Sequence, residues 1–462
     1  MCRHLWYAQE KSSAKFRTLP KIIFSAYSTT TLKMAGGLMQ LVAYGAQDVY
    51  LTGNPKVTFF QAVYKRHTNF AMENIEQTVN GTASDSGRVS VTIARNGDLV
   101  SDMYIELKAK TGSIVLTADA GGAADATAAS DDVCWAAERA VKDVELSIGG
   151  QRIDKHYQRW WRLYSELYLD DAKKTTWGKM TSPAVVDGQM FLPLIFFFNR
   201  NPGLALPLIA LQYHEVRLDF DLSSEFTKYS DGSTFKVWAN YIYLDTEERR
   251  RFAQKGHEYL IEQVQHTGTD ALADAGKTKQ IRLSYNHPVK ELVFCADRGS
   301  VSRANLWNFT SATEVVTTDP ASTLAAAGDM VVIPPGSSGA PVLKVAHGGN
   351  AWTEETDGPV DTFKLVLNGQ DRFKEQTGKY FNAVQPFQHH SGTPVPGVYA
   401  YSFALKPEEH QPTGTCNFSR IDNAQVAIKT KAGATATNLN MFAVNYNVLR
   451  IQSGMGGLAF SN

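Results

Sequence analysis

The chain has no excess of charge of either sign: 46 Lys and Arg stand against 46 Asp and Glu in 462 residues. Proteins that wrap nucleic acid draw their affinity from neutralising phosphates, so this balance argues against direct nucleic-acid binding. Cysteine is scarce. Cys2, Cys134, Cys295 and Cys416 are widely scattered, with no CxxC spacing for zinc or dithiol chemistry. They fit free thiols in a reducing compartment, with two long-range disulfides as the alternative. No GxSxG elbow, P-loop or HExxH occurs, and no His-x-His pair is followed by a Glu and a distant His. No cofactor or metal ligand set is therefore expected. Long apolar runs are absent too, with one exception, FLPLIFFFNRNPGLALPLIAL at 191–211. Its length matches the ~20 residues that cross a bilayer. However, Asn199, Arg200 and Asn201 stand at its centre beside Pro202 and Gly203, which predicts two short buried strands joined by a turn.

What is present is strand signal. Hydrophobic content of 43% and charged content of 20% are those of a folded protein, and the length favours two or three domains. In RVSVTIARNGDLVSDMYIELKAK (88–110), Val89, Val91 and Ile93 share one face before an Asn-Gly turn. In YHEVRLDFDL (213–222), Val216, Leu218, Phe220 and Leu222 alternate with Glu215, Arg217, Asp219 and Asp221, the pattern of a strand with one buried and one wet face. Helical spacing occurs only over 158–170 and 55–67. Two segments lack either period, 117–132 and 311–362, and are expected to be long surface loops.

One phrase occurs twice. DVELSIGGQRIDKHY (143–157) and TFKLVLNGQDRFKEQ (362–376) both run an alternating strand into a Gly-Gly or Asn-Gly pair followed by Gln. Such pairs tolerate the positive φ of a tight hairpin. The phrases are offset by 219 residues; Val216 and Leu218 match Val426 and Ile428 at 210, and Asn240-Tyr241 matches Asn445-Tyr446 at 205. An ordered set of matches with shrinking offset is the mark of a duplicated domain whose loops have diverged. Two consecutive all-β sandwiches follow, dividing near 249–260.

Few residues suggest chemistry. His389 and His390 precede a Ser-Gly-Thr-Pro loop and are expected in solvent. Glu247–Glu248 and Glu408–Glu409 are adjacent, so on a strand they would point apart, poor geometry for an acid–base pair. Asn80, Asn308 and Asn417 satisfy N-x-[ST] and are the candidate glycosylation sites. Residues 1–33 carry six Lys or Arg against Glu10 alone. That composition resembles an organelle transit peptide, but an upstream extension with Met34 as the working start is preferred, because the resemblance described next begins there.

The segments MAGGLMQLVAYGAQDVYLTGNPKVTFFQAVYKRHTNFAMENIEQTVNG (34–81), FFFNRNPGLALPLIALQYHEV (196–216), YLDTEERRRFAQ (243–254), CNFSRIDNA (416–424) and NYNVLRIQSGMGGLAF (445–460) resemble, in order, the major capsid proteins of large icosahedral DNA viruses, nearest to the chlorella-virus branch of the phycodnaviruses. The resemblance covers Met34 to the C-terminus. It implies two consecutive eight-stranded antiparallel jelly rolls with short helices and long loops. The implied division is an N-terminal extension (1–33, disordered or not native), an N-terminal arm (34–60), and jelly rolls over 61–250 and 251–462. It further implies a non-enzymatic virion protein, assembled in the host cytoplasm as homotrimeric, pseudo-hexagonal capsomers. These would contact neighbouring capsomers and minor capsid proteins over an internal viral membrane that they do not span. Glycans in the family are attached at atypical asparagines, which lowers the weight of the three sequons. The alternative is a carbohydrate-binding or glycan-processing protein on a duplicated jelly roll.

Overall fold

Alternation of buried and exposed side chains carries through to the strands. The computed structural model describes residues 36–109, 135–182, 188–297, 309, 315–317, 330–333, 343–345, 358–434 and 436–460. Residues 1–33, the 117–132 segment, Asn308, Cys2 and Cys134 lie outside them. The chain divides into two units, Met1–His67 and Thr68–Asn462.

The first unit holds two short helices, Gly36–Val42 and Val49–Thr52. The helix expected over 55–67 does not form. Phe59, Phe60, Val63 and Tyr64 remain exposed, Phe60 at 100%. A helical stripe stabilises a helix when it is buried, and aromatic and β-branched residues favour helix weakly without that burial.

In the second unit the first eight principal strands are β1 (Phe70–Gln77), β2 (Arg88–Thr92), β3 (Leu99–Lys108), β4 (Val141–Ile148), β5 (Gln151–Tyr157), β6 (Gln189–Pro193), β7 (Val216–Leu222) and β8 (Lys236–Leu244). They form two antiparallel sheets, ordered β1-β8-β3-β6 and β2-β7-β4-β5. The next eight are β9 (His257–Ala271), β10 (Thr278–Leu283), β11 (Pro288–Asp297), β12 (Val360–Leu367), β13 (Gln370–Asp371), β14 (Val398–Ser402), β15 (Ala424–Thr430) and β16 (Asn438–Gln452). Their sheets are β9-β16-β11-β14 and β10-β15-β12-β13. Each strand of the first set thus has a counterpart eight places later in the same sheet position. Two eight-stranded jelly rolls of one topology result, and the helix Thr246–Gln254 lies between them in the chain.

The repeated phrase is the β4–β5 hairpin and its counterpart, β12–β13. Gly149 and Gly150 have φ of 57° and 82°, and Asn368 and Gly369 have 49° and 80°. These are the left-handed conformations that a two-residue hairpin needs. Val144 and Leu146 face the first core, and Phe363 and Leu365 face the second. The Asn-Tyr match is different. It joins the right strands, β8 and β16, but Tyr241 packs in the first core, whereas Tyr446 points out of the second roll under the Lys290 ammonium (5.7 Å). The residue alignment at 205 is therefore out of register, because an odd slip turns a side chain to the opposite face.

Three further expectations change. In 191–211 only β6 and the two-residue strand Leu206–Pro207 are extended. Between them Phe197–Arg200 makes a helical turn, capped where the Phe196 N–H donates to Asn199 (3.1 Å). The 311–362 segment is not loop alone: Val315–Thr317, Met330–Ile333 and Leu343–Val345 pair as a small antiparallel sheet, and Val360 already begins β12. Asp219, expected in water, is 8% exposed and held by Arg88 and Arg217.

Candidate functional site at the junction of the two jelly rolls

The strands of the second roll reveal where function concentrates. β11 and most of β16 are buried on both faces. Leu292, Phe294, Met441 and Ala443 fill the second roll's own core. Their alternating neighbours Val293, Cys295, Phe442 and Val444 belong to the core of the first roll. The first roll therefore covers the outward face of the β9-β16-β11-β14 sheet. The covering elements are β5 and the helix Gln158–Tyr168 that follows it. Trp160 meets Phe442 with ring centroids 5.7 Å apart, and Tyr157 meets His266 at 5.0 Å.

Charged groups are sealed into this contact. Arg200 of the first roll binds Glu262 on β9 (2.8 Å), and Lys290 on β11 binds the same carboxylate (2.7 Å). Burial raises the Glu262 carboxyl, but the charges of Arg200 and Lys290 outweigh it and hold Glu262 below the usual carboxylate range. Burial takes Lys290 down to about 8 despite Glu262, with the Arg200 charge adding to the fall. Arg159 reaches across to Asp297 at 2.6 Å, where Asn440 also donates (2.7 Å). Asp154 of β5 accepts from the Val264 N–H of β9 at 3.0 Å.

A second element grips the first roll from outside the sheet. The segment 390–393 lies on the end of the 158–168 helix: Gly392 N–H donates to Leu167 O (3.0 Å), Ser391 Oγ to Tyr168 O (3.3 Å), and Lys174 to Thr393 O. His390 fixes this segment. Its side chain is 1% exposed, 3.1 Å from Glu291 and 3.4 Å from Glu408, with the Tyr168 ring edge-on at 5.3 Å. Burial opposes its charge, yet the two carboxylates, Glu291 foremost, raise it from 6.5 to about 9. The expectation of a solvent-exposed His390 is thus overturned, because long-range carboxylates supply what water would have supplied. His389 is half-buried, bonded to Leu405 O (3.0 Å).

The other sequence candidates lie apart from this junction or contribute singly. Glu408 binds His390 while Glu409 binds Lys406 (2.7 Å), so that acid pair diverges. Glu247 and Glu248 lie in the first turn of a helix, not on a strand. Asn80 is exposed and opposite Ser90 of β2. Asn417 is exposed, and its side chain accepts from the Ser419 N–H (3.0 Å). Among the described residues, no group of three or more His, Cys, Asp or Glu is placed to hold a metal ion, and Cys295 and Cys416 are free thiols. Sequence reasoning did not single out Glu262, Lys290, Glu291, Arg159 or Asp297. A signal existed: Lys290-Glu291 interrupts an otherwise apolar strand, and two adjacent opposite charges there imply that both faces meet partners.

Two jelly rolls of one topology, fused through a shared core and an internal ion network, define the class of double jelly-roll shell proteins. The comparisons specify the family. A model described as "Large eukaryotic DNA virus major capsid protein" matches residues 248–457, and one described as "Major capsid protein N-terminus" matches 58–245. The chain is 45% identical to the major capsid protein of Paramecium bursaria Chlorella virus 1 and 43% identical to that of Pyramimonas orientalis virus, in each case across 93% of this chain and 100% of the relative. It superposes on a chain of the PBCV-1 virus capsid with a TM-score of 0.70 at 40% identity, covering 88% of this chain and 100% of that one. The chain belongs to the major capsid proteins of large eukaryotic DNA viruses. It is a structural component of the virion shell and not an enzyme.

Proposed function

We propose that three copies of this chain close into a capsomer of near-hexagonal outline, the repeating unit of an icosahedral shell lying over an internal membrane. The observation that carries this reading is the asymmetry of the duplicated domain. The outward sheet face of the second roll is covered within the chain, while the counterpart face of the first roll has no such cover from the second. Six similar lobes from three chains tile a shell with few distinct contacts, and cyclic closure requires a heterologous interface. Its functional parts are the arm at 34–60 and the rolls at 61–250 and 251–462, with minor capsid proteins and neighbouring capsomers as partners. Neutral net charge fits a shell that does not hold the genome directly. No helix among the described residues is long and apolar enough to cross a membrane. The exposed Asn80 and Asn417 are the sites open to attached glycan, which peptide mass spectrometry of virions checks. No observation favours the carbohydrate-processing alternative.

Sedimentation of the purified full chain tests the proposal. The expected species has three times the 50.9 kDa chain mass, with a hexagonal outline by electron microscopy. A folded species of one chain's mass at micromolar concentration would overturn it.

A further inference from the structure

The two rolls share a topology but not their surroundings, and the difference identifies a contact. In the second roll an outward row of side chains crosses the sheet in register: Ala400, Val293, Phe442 and His266. Trp160, from the helix that follows β5, packs on that row through Phe442. The equivalent outward row of the first roll runs through Pro193, Tyr104, Trp238 and Glu76. Tyr104 and Trp238 stack with centroids 6.5 Å apart, Phe191 meets Tyr104 at 5.7 Å, and all three rings are half-buried rather than sealed. Aromatic side chains on an outward sheet face are costly to leave in water, and such patches mark interaction surfaces.

The element that would cover this row also exists. The helix 158–168 follows β5; in the second roll the helical turns 380–389 follow β13. Their inner side, Phe381 and Pro386, is buried in the second roll. On the outer side Phe387 is 89% exposed, Leu405 beside it 73%, and Val384 40%. In the first roll the counterpart helix buries Trp160, Trp161, Leu163 and Leu167. The helical turns of the second roll therefore present an apolar face with no cover of that kind. Charges agree with the match: the sheet carries Glu76 and Glu106, while Lys379 and Lys406 flank the turns.

We propose that the outward face of the β1-β8-β3-β6 sheet receives a second copy of this chain, which lays its 380–389 turns and Leu405 across Tyr104 and Trp238 as the 158–168 helix lies across Phe442 within each chain. The inference rests on the homo-oligomer reading above and specifies its interface. Each copy offers both halves of the contact, so copies arranged head to tail close into a ring.

Two readouts on the full chain keep the two claims separate. Sedimentation of the wild type reads the number of copies. Disulfide trapping reads the contact: one chain carrying Phe387→Cys is mixed with a differently tagged chain carrying Glu76→Cys, both at exposed positions. The expected product is a disulfide between the two tags, absent when either variant is mixed with wild type. Phe387→Glu and Trp238→Glu should each raise the concentration for half-dissociation by roughly tenfold or more, with the folded circular dichroism spectrum retained. The combination of Phe387→Glu with Tyr104→Lys should recover part of that loss. A trapped bond with a mass other than three chains overturns the trimer and sustains the contact. A three-chain mass without the bond, or with both glutamate variants assembling like wild type, overturns the contact.

Discussion

His390 is the residue on which the second roll's grip on the first depends. Its proton is held more tightly in the folded chain, with a value raised from 6.5 to about 9. Its pairing with Glu291 and Glu408 therefore contributes in full below pH 6.5 and is lost as pH rises through about 9. Glu408 carries the opposite edge. Burial raises its carboxyl, but bonds from His390 and Ser391 prevail and hold it below 4.5, so its contribution is present above that value and lost as pH falls through the folded one. Lys290 opposes the His390 trend, since a lysine lowered from 10.5 to about 8 gives a penalty that fades between those values. His390→Gln should destabilise the chain by about 3 kcal/mol, because Glu291 is left buried without its cation. The thermal midpoint of the variant should also lose the part of the wild-type alkaline decline that lies between pH 6.5 and 9. An identical decline in both proteins would refute the assignment. Gly392 gives an independent test. A Cβ there would sit 2.5 to 2.7 Å from the backbone oxygens of Glu166, Leu167 and Leu169. Gly392→Ala should cost about 1–3 kcal/mol and make 390–396 the first site nicked in limited proteolysis.

The paired hairpins allow the same substitution to be compared in two settings. A Cβ at Gly369 meets nothing within 4 Å, so Gly369→Ala costs only the strain of φ +80°, about 1–2 kcal/mol. At Gly149 the same atom would collide with the His214 ring. That ring accepts from or donates to Gly456 O (2.8 Å) at the end of the second roll. Gly149→Ala should therefore destabilise more than Gly369→Ala, read as the denaturant midpoint at constant slope. Equal losses would show that the His214 contact contributes nothing. β11 shows how a strand comes to be buried twice. Its even positions Leu292 and Phe294 serve one roll, and its odd positions Val293 and Cys295 serve the junction. Burial accordingly drives the Cys295 thiol up to about 12, which keeps it protonated and inert.

The two rolls form one cooperative body because they are not separable at the junction. Ile261, Val293, Phe442 and Leu449 of the second roll lie in the core of the first. Glu262 and Asp297 find their arginines only across the interface. Calorimetry of the Thr68–Asn462 unit should thus show one transition whose calorimetric and van't Hoff enthalpies agree. A fragment of residues 251–462 should fail to fold as a soluble species, since it would expose Phe442 and Val293 and leave Glu262 without Arg200. Two resolved transitions, or a folded 251–462 fragment, would show that the rolls are independent domains.

What the sequence determined by itself was local and periodic. Alternation in 143–148 and 216–222 assigns an inward face, and the Gly-Gly and Asn-Gly pairs assign two-residue turns, since both depend on backbone geometry over a few residues. Repetition of these signals in order made the duplication legible. Tertiary structure decided everything that depends on a distant partner. The apolar period of 55–67 implied a helix, yet no covering face stabilises one. The Asn-Tyr pairs align by letter but face opposite sides, because strand register is set by neighbours and not by composition. His390 looks like a loop residue until Glu291, nearly a hundred positions earlier, and Glu408 close around it. A charge is buried only where opposite charges meet it, and the sequence does not record which residues the fold brings within 4 Å.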